Sequence, residues 1–201
     1  MRLGIYGGTF DPVHYGHLLL AEQCRETCRL DEVWLMPAGL PPHKQGARIT
    51  SGKHRKEMLE LAVAGLPQFK VSTVELDRPG PNYTVETLHE LARQRPDDEL
   101  FLLIGRDSLD EFRTWREPER IAELATIVAV NRGRDAADAA AVRATVGDQM
   151  AERVQFVSMP GVDLSASDLR KRASEGRSLR FQVPRAVEQY ILEHQLYAPT
   201  D

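Results

Sequence analysis

The chain has 201 residues, of which 42% are hydrophobic and 28% are charged, so its composition is that of a folded protein and not of a disordered chain. Its 26 Lys and Arg residues stand against 30 Asp and Glu residues, and the resulting formal charge of −4 argues against a protein that coats nucleic acid. No segment has the ~18 consecutive apolar residues of a membrane span. The apolar start of the chain breaks at Gly7-Gly8, too early for a secretory signal. We therefore expect a cytoplasmic protein that contacts neither nucleic acid nor a membrane.

Apolar segments and amphipathic helices alternate along the whole chain. Strands are predicted at residues 2–6, 32–36, 69–74, 100–104, 126–130 and 154–157. Helices are predicted at residues 15–30, 53–64, 84–95, 135–150 and 183–194, with Thr84 capping the third of them and Pro184 in the first turn of the last. A further helix is expected to open at residues 164–170. The segment LFLLI at 100–104 is typical of a central parallel strand that is buried on both faces. This alternation predicts an α/β fold with a mostly parallel sheet.

The two cysteines, Cys24 and Cys28, lie four residues apart and would share one face of a helix. Neither a second cysteine pair nor a nearby histidine pair completes a zinc site. We expect two buried or half-buried thiols in a reduced protein.

The residues that point to chemistry lie between the first strand and the first helix, in the segment 7–17. Gly7 and Gly8 allow a ligand to approach the backbone closely, and a helix start offers N–H groups and partial positive charge to phosphate. His14 and His17 would point the same way from that helix start. The segment is neither a dinucleotide-binding glycine fingerprint nor a P-loop. Taken alone, two glycines and two histidines in this spacing are more typical of a tight turn that carries two surface histidines.

The full string GTFDPVHYGH resembles the signature of the nucleotidyltransferases with an H-x-G-H motif, a superfamily that also contains the class I aminoacyl-tRNA synthetases. Six further strings follow in a compatible order: PPHK at 41–44, NYTVETL at 82–88, IGRDSL at 104–109, TWR at 114–116, LSASDLR at 164–170, and the closing segment 184–197. Over essentially its whole length the chain resembles the bacterial nicotinate mononucleotide adenylyltransferases.

That resemblance implies a Rossmann-like sheet of five or six strands with helices on both faces. It implies a single nucleotidyltransferase domain over 1–201, with 163–201 as a small helical C-terminal part. The implied reaction, a late step of NAD biosynthesis, joins ATP and nicotinate mononucleotide to give nicotinate adenine dinucleotide and pyrophosphate. No covalent enzyme intermediate is expected. Mg²⁺ would arrive with ATP and be held mainly by its phosphates, without a metal site built by the protein.

The resemblance also assigns site residues. The expected catalytic residues, which bind and neutralise the ATP phosphates, are His14, His17, Lys44 and Arg170. The remaining contacts to ATP are assigned to Gly8, Thr9, Phe10, Gly105, Asp107, Ser165 and Ser167. The acceptor pocket is assigned to Thr84, Trp115, Arg116 and Arg132, where the Trp115 ring would stack on the pyridine and Arg116 would add positive potential. The family usually has Pro-Gly after the arginine at 132, whereas this chain has Gly133-Arg134.

Other interpretations remain open at this point. Lys44 is also compatible with a solvated loop lysine, Asp107 with a helix N-cap, and Trp115 with a core residue. A sister adenylyltransferase that acts on pantetheine phosphate or on a flavin mononucleotide is the nearest alternative function. A catalytically silent nucleotide-binding module is another. The sequence does not determine whether the protein forms a homo-oligomer. It also does not determine whether the acceptor is the nicotinate or the nicotinamide mononucleotide.

Overall fold

In the computed structural model, which describes residues 1–39, 49–133 and 147–198, six strands form one sheet. The strands are β1 (Arg2–Gly8), β2 (Glu32–Pro37), β3 (Phe69–Val71), β4 (Glu99–Gly105), β5 (Thr126–Arg132) and β6 (Val154–Met159). They lie in the order β3-β2-β1-β4-β5-β6, and every neighbouring pair is parallel. The predicted α/β fold with a Rossmann-like sheet is confirmed.

Helices connect these strands. Within the described residues they are α1 (Tyr15–Thr27), α2 (Gly52–Ala62), α3 (Thr84–Gln94), α4 (Arg106–Asp110), α5 (Pro118–Leu124), α6 (Asp148–Ala151), α7 (Ala166–Ser174) and α8 (Arg185–Glu193). A short 3₁₀ helix, Phe112–Thr114, lies between α4 and α5. None of the helices in this part of the chain is long and apolar enough to cross a lipid bilayer.

Each face of the sheet is covered by its own apolar cluster. Helices α1, α2, α7 and α8 contribute to one cluster, and α3, α4 and α5 contribute to the other. Successive side chains of β4 alternate between the two clusters, as the pleat of a strand requires: Phe101 and Leu103 join the first, and Leu102 and Ile104 the second. Burial of both faces explains the unbroken apolar sequence of this strand.

Two predicted helix starts are corrected. Tyr83, not Thr84, is the N-cap of α3, because its backbone is extended and its carbonyl accepts hydrogen bonds from the N–H groups of Glu86 and Thr87. Thr84 is therefore the first helical residue. Pro184 is likewise the N-cap of α8 and precedes its first turn.

Other predicted boundaries differ by a few residues, and α4, the 3₁₀ helix and α5 were not predicted. Of the predicted helix at 135–150, residues 135–146 lie outside the described residues, and α6 occupies only the end. The division of the chain at residue 163 stays a prediction.

Both cysteine side chains are buried and form no disulfide bond. Burial raises the pKa of the Cys24 thiol far above its usual range, and it also raises the pKa of Cys28. The protonated form of both thiols is therefore favoured at neutral pH, and a protonated thiol is a poor nucleophile.

Candidate active site

The strand order reverses between β1 and β4, which are neighbours in the sheet although two strands separate them in the sequence. Ligands of open α/β sheets bind at such a point, outside the carboxyl ends of the strands. A cavity of about 360 Å³ lies there. Gly8 at the end of β1 and Gly105 at the end of β4 line it, together with Thr9, His17 and Trp115.

The two predicted histidines form a stacked pair at the start of α1. Their ring centroids lie 3.7 Å apart, and the rings are inclined by 19°. His14 is the N-cap, and its backbone N–H donates to Nδ1 of His17 at 3.3 Å. This hydrogen bond leaves the proton of a neutral His17 ring on Nε2, so Nε2 is a donor. Gly16 makes room for the pair, because a Cβ at this position would lie 3.1 Å from the His14 ring.

The start of α7 approaches the start of α1 from the other end of the chain. Ser165 is the N-cap of α7: its hydroxyl accepts from the N–H of Asp168 at 3.1 Å and donates to the Asp168 carboxylate at 2.8 Å. One guanidinium nitrogen of Arg170 donates to the Asp11 carbonyl at 2.8 Å, and the other contacts the Ser167 hydroxyl at 3.3 Å. The segment 11–17, which contains the start of α1, is therefore contacted by Arg170 of α7.

A second cavity, of about 480 Å³, adjoins the first. Thr84, Trp115, Asn82 and Ser108 line both cavities. Trp115 is half-buried and contacts Phe112, with ring centroids 5.2 Å apart, so one part of the indole remains available at the rim. The structure thus brings two predicted acceptor residues, Thr84 and Trp115, to the junction between the cavities.

Arg116 also lines the second cavity, but its charge is partly offset. Its guanidinium donates to Glu86 at 3.0 Å, lies 3.6 Å from Glu117, and is placed over the Tyr83 ring at 4.7 Å. All three charged side chains are substantially exposed, so each ion pair is weak and screened by salt. The positive potential expected from Arg116 is thus reduced by two neighbouring carboxylates.

The other predicted residues occupy different environments. Asp107 lines the first cavity and is the second residue of α4, whose N-cap is Gly105, so the alternative of Asp107 as an N-cap is wrong. Phe10 as a whole is only 1% exposed, its ring packs edge-on against His17, and it is not among the residues that line the two cavities. Lys44 lies outside the described residues. Arg132 is the last residue of β5, and its side chain is outside the described part of the structure.

Comparison with known proteins assigns the family. The model of the cytidylyltransferase-like family matches residues 5–172. A probable nicotinate-nucleotide adenylyltransferase of Thermomicrobium roseum is 48% identical over 196 residues, covering 98% of this chain and 91% of the relative. The corresponding protein of a Thermus thermophilus strain is 46% identical and covers 98% of this chain and 100% of its own length.

The chain belongs to the nicotinate-nucleotide adenylyltransferase family. Its fold agrees with that of a solved protein, the Plasmodium falciparum nicotinic acid mononucleotide adenylyltransferase in complex with NaAD. The TM-score is 0.79 over 98% of this chain and 97% of the other, at 18% identity, so this likeness concerns the fold. A second complex of the same enzyme, with APC, has a TM-score of 0.78.

Four polar residues near the site of this adenylyltransferase family member were not predicted from its sequence: Asp11, Glu75, Asn82 and Tyr197. Glu75 and Asn82 line the first cavity, and burial raises the pKa of the Glu75 carboxyl. The chain between β3 and α3 carries both and passes so close to the loop after β2 that a Cβ at Gly39 would lie 2.2 Å from Oδ1 of Asn82. Neither periodicity nor local spacing signals such a contact between distant segments.

Proposed function

We propose that the protein transfers the adenylyl group of ATP to the 5′-phosphate of nicotinate mononucleotide, giving nicotinate adenine dinucleotide and pyrophosphate. The observation that carries the proposal is the meeting of the two cavities beside the stacked histidines, in a chain that is 48% identical to a nicotinate-nucleotide adenylyltransferase. We call the first cavity with the starts of α1 and α7 the ATP half, and the second cavity the acceptor half.

In the ATP half, Nε2 of His17 donates to a phosphoryl oxygen, and His14 acts beside it. Ser165, Ser167 and Arg170 bind the β- and γ-phosphates at the start of α7, where N–H groups and partial positive charge favour an anion. The backbone of Gly8, Thr9 and Phe10 lies along the phosphates. Gly105 and Asp107 border the adenosine, and Lys44 supplies a further cation to the phosphates. These assignments rest on the family resemblance, and Lys44 is the one among them that lies outside the described residues.

In the acceptor half, the Trp115 ring stacks on the pyridine, while Thr84 and the backbone near Arg116 bind the nicotinate carboxylate. Arg132 binds the phosphate of the mononucleotide. Because the acceptor half opens into the ATP half at Thr84 and Trp115, a mononucleotide bound there can direct its phosphate towards the α-phosphorus of ATP.

The transfer is a single displacement. An oxygen of the nicotinate mononucleotide phosphate forms a bond to the α-phosphorus, the bond from that phosphorus to the oxygen bridging to the β-phosphorus breaks, and pyrophosphate leaves with the electron pair. Negative charge grows on the leaving oxygens, and donors fixed in advance by the protein stabilise it. The hydrogen bond between the His14 N–H and His17 fixes one such donor before ATP binds.

The donor set of the site suits a cation that comes with its nucleotide. Within the three described ranges, no group of three or more His, Cys, Asp or Glu side chains is placed to hold a metal ion. We propose that Mg²⁺ enters bound to the phosphates of ATP, in a cavity that Asp107 lines with an exposed side chain. Bound there, the ion neutralises phosphate charge.

The test is pyrophosphate release by the purified protein with ATP, Mg²⁺ and one acceptor at a time. Nicotinate mononucleotide, nicotinamide mononucleotide, pantetheine phosphate and flavin mononucleotide are the four acceptors, and mass spectrometry identifies the product. We expect the fastest release with nicotinate mononucleotide. A clear preference for pantetheine phosphate or flavin mononucleotide, or no release with any acceptor, would overturn the proposal.

A further inference from the structure

Below the ATP half, the Asp11 carboxylate is buried, with the residue only 2% exposed. The Tyr197 hydroxyl donates to one carboxylate oxygen at 2.6 Å, and the backbone N–H of Thr50 donates to the other at 3.1 Å. The Asp11 carbonyl accepts from Arg170, a proposed ligand of the ATP phosphates. One residue of the β1–α1 loop therefore connects the end of the chain, the start of α2 and the phosphate-binding arginine.

A buried arginine supports the same loop from α2. Arg55 is 2% exposed, and its guanidinium donates to the carbonyls of Thr9, Ala38 and Thr50 at 2.9, 2.8 and 2.9 Å. Burial lowers the pKa of Arg55, and the negative charge of Asp11 opposes that shift. Asp11 and Arg55 thus place a buried charge of each sign beneath the segment that carries the histidines. An unsatisfied buried charge is costly, so the Asp11 carboxylate depends on its hydrogen-bond donors.

The end of α8 directs Tyr197 to this carboxylate. The N–H of Leu196 donates to the carbonyl of Ile191, and that of Gln195 donates to the carbonyl of Leu192, a Schellman motif with Gln195 at φ 49°. Tyr197 itself is left-handed, at φ 63°. A non-glycine residue in this region is uncommon, and it persists where surrounding contacts favour it. The hydrogen bond to Asp11 is such a contact, formed between residues 186 positions apart.

We propose that Tyr197 is a positioning residue for the ATP half of the site. Its hydroxyl fixes the Asp11 carboxylate, and Asp11 in turn fixes Arg170 and the loop that leads to His14. The acceptor half is not connected to Tyr197 by any of these contacts. This inference rests on the proposed function, since its kinetic test uses adenylyl transfer as the readout.

The test compares two variants that each lose one phenolic hydroxyl near the end of the chain. Tyr197→Phe removes the donor to Asp11 and keeps the ring. Tyr190→Phe is the matched control, because the Tyr190 hydroxyl also donates to a carboxylate, that of Glu57, but at the contact between α8 and α2. We expect kcat/KM for ATP to fall about tenfold in Tyr197→Phe only, with KM for nicotinate mononucleotide within about twofold of the wild-type value.

A general loosening of the fold would give a different pattern. The inference is overturned if Tyr197→Phe keeps the wild-type kcat/KM for ATP, if Tyr190→Phe loses as much, or if KM for the acceptor rises as far as KM for ATP. Thermal unfolding of both variants shows whether each has folded.

A measurement on the wild-type protein decides the matter if Tyr197→Phe does not fold, or if the wild type shows no transfer. Hydrogen–deuterium exchange is followed in the peptide 191–198 with and without an ATP analogue that has a methylene bridge between its α- and β-phosphorus atoms. We expect the analogue to slow exchange at residues 195–198 at least about threefold, and nicotinate mononucleotide to leave it unchanged. Equal exchange rates with and without the analogue would overturn the inference.

Discussion

The ATP half and the acceptor half differ in how their charged side chains are held. In the ATP half, Arg170 donates to a carbonyl of Asp11, and Asp11 and Arg55 are both buried. In the acceptor half, Arg116 contacts Glu86 and Glu117 on the surface, where the side chains are between 42% and 59% exposed. Contacts in the first half are therefore fixed before a ligand binds, whereas those in the second can exchange with a ligand at little cost.

This difference matches the demands of the two substrates. Stabilising charge on a departing pyrophosphate requires donors that are already oriented, because donors that must reorient cost free energy in the transition state. Recognising an acceptor requires a site that admits a charged molecule and releases a larger product. Substitutions in the ATP half should therefore act mainly on kcat, and substitutions in the acceptor half mainly on the KM of the mononucleotide.

The largest expected effect is that of His17→Ala. If Nε2 of His17 donates mainly in the transition state, kcat should fall by about 10²–10³ while the protein stays folded. His89→Ala is the matched control, since His89 is exposed on α3, away from both cavities. Steady-state pyrophosphate release and thermal unfolding measure the two properties. A folded His17→Ala protein with nearly wild-type kcat would contradict the role given to this histidine.

The choice of acceptor should follow the charge of its ring substituent. A carboxylate only accepts hydrogen bonds and so suits a site of N–H donors, whereas an amide sets its own donors against them. Because ~1.4 kcal/mol gives a factor of ten, we expect kcat/KM to favour nicotinate over nicotinamide mononucleotide at least about tenfold. Titration of both acceptors at saturating ATP measures the ratio. Equal kcat/KM for the two acceptors would show that the acceptor half does not distinguish the carboxylate from the amide.

A substitution of Trp115 should affect the acceptor half and not the ATP half. Trp115→Ala should raise KM for both mononucleotides about tenfold and leave binding of the ATP analogue unchanged, because the ring is assigned to the pyridine. Trp115→Phe keeps an aromatic face and should recover most of the loss. Calorimetric titration of the analogue accompanies the kinetics. If Trp115→Ala bound the analogue more weakly, the indole would contact ATP, and its assignment to the pyridine of the acceptor would be wrong.

A smaller effect is expected from Glu86→Gln, which releases Arg116 from one of its two carboxylates. The positive potential at the acceptor half should rise, so KM for nicotinate mononucleotide should fall about two- to threefold at low ionic strength, and this gain should disappear at about 1 M salt. Glu123→Gln, which affects the ion pair with Arg120 on α5, is the control. A KM that is unchanged at low salt would show that Arg116 does not act on the acceptor.

The smallest effect concerns the thiols, which lie away from both halves. Replacing Cys24 and Cys28 together with Ala should leave kcat within about twofold of the wild-type value and the zinc content at zero, because both thiols are buried and protonated. The assay and metal analysis are run on the same preparations. Loss of activity together with loss of stoichiometric zinc would contradict this account.

The sequence was sufficient for the features that depend on local pattern. The alternation of strands and helices, the buried strand at 100–104, and the two histidines at a helix start are all evident from residue types and their spacing. Buried polar contacts between distant segments were not evident. Asp11 lies within the recognised motif, but no local pattern shows that its partner is Tyr197. The same applies to Arg55, whose three carbonyl partners are far apart in the sequence.

The most direct test of the central claim follows the stereochemistry at phosphorus. One diastereomer of ATP with sulfur on the α-phosphorus is turned over with nicotinate mononucleotide, and the configuration of the dinucleotide product is determined. The account predicts inversion, because one in-line displacement by the acceptor phosphate joins the ATP half to the acceptor half. Retention would require two displacements through a covalent enzyme intermediate, and it would contradict direct transfer between the two halves.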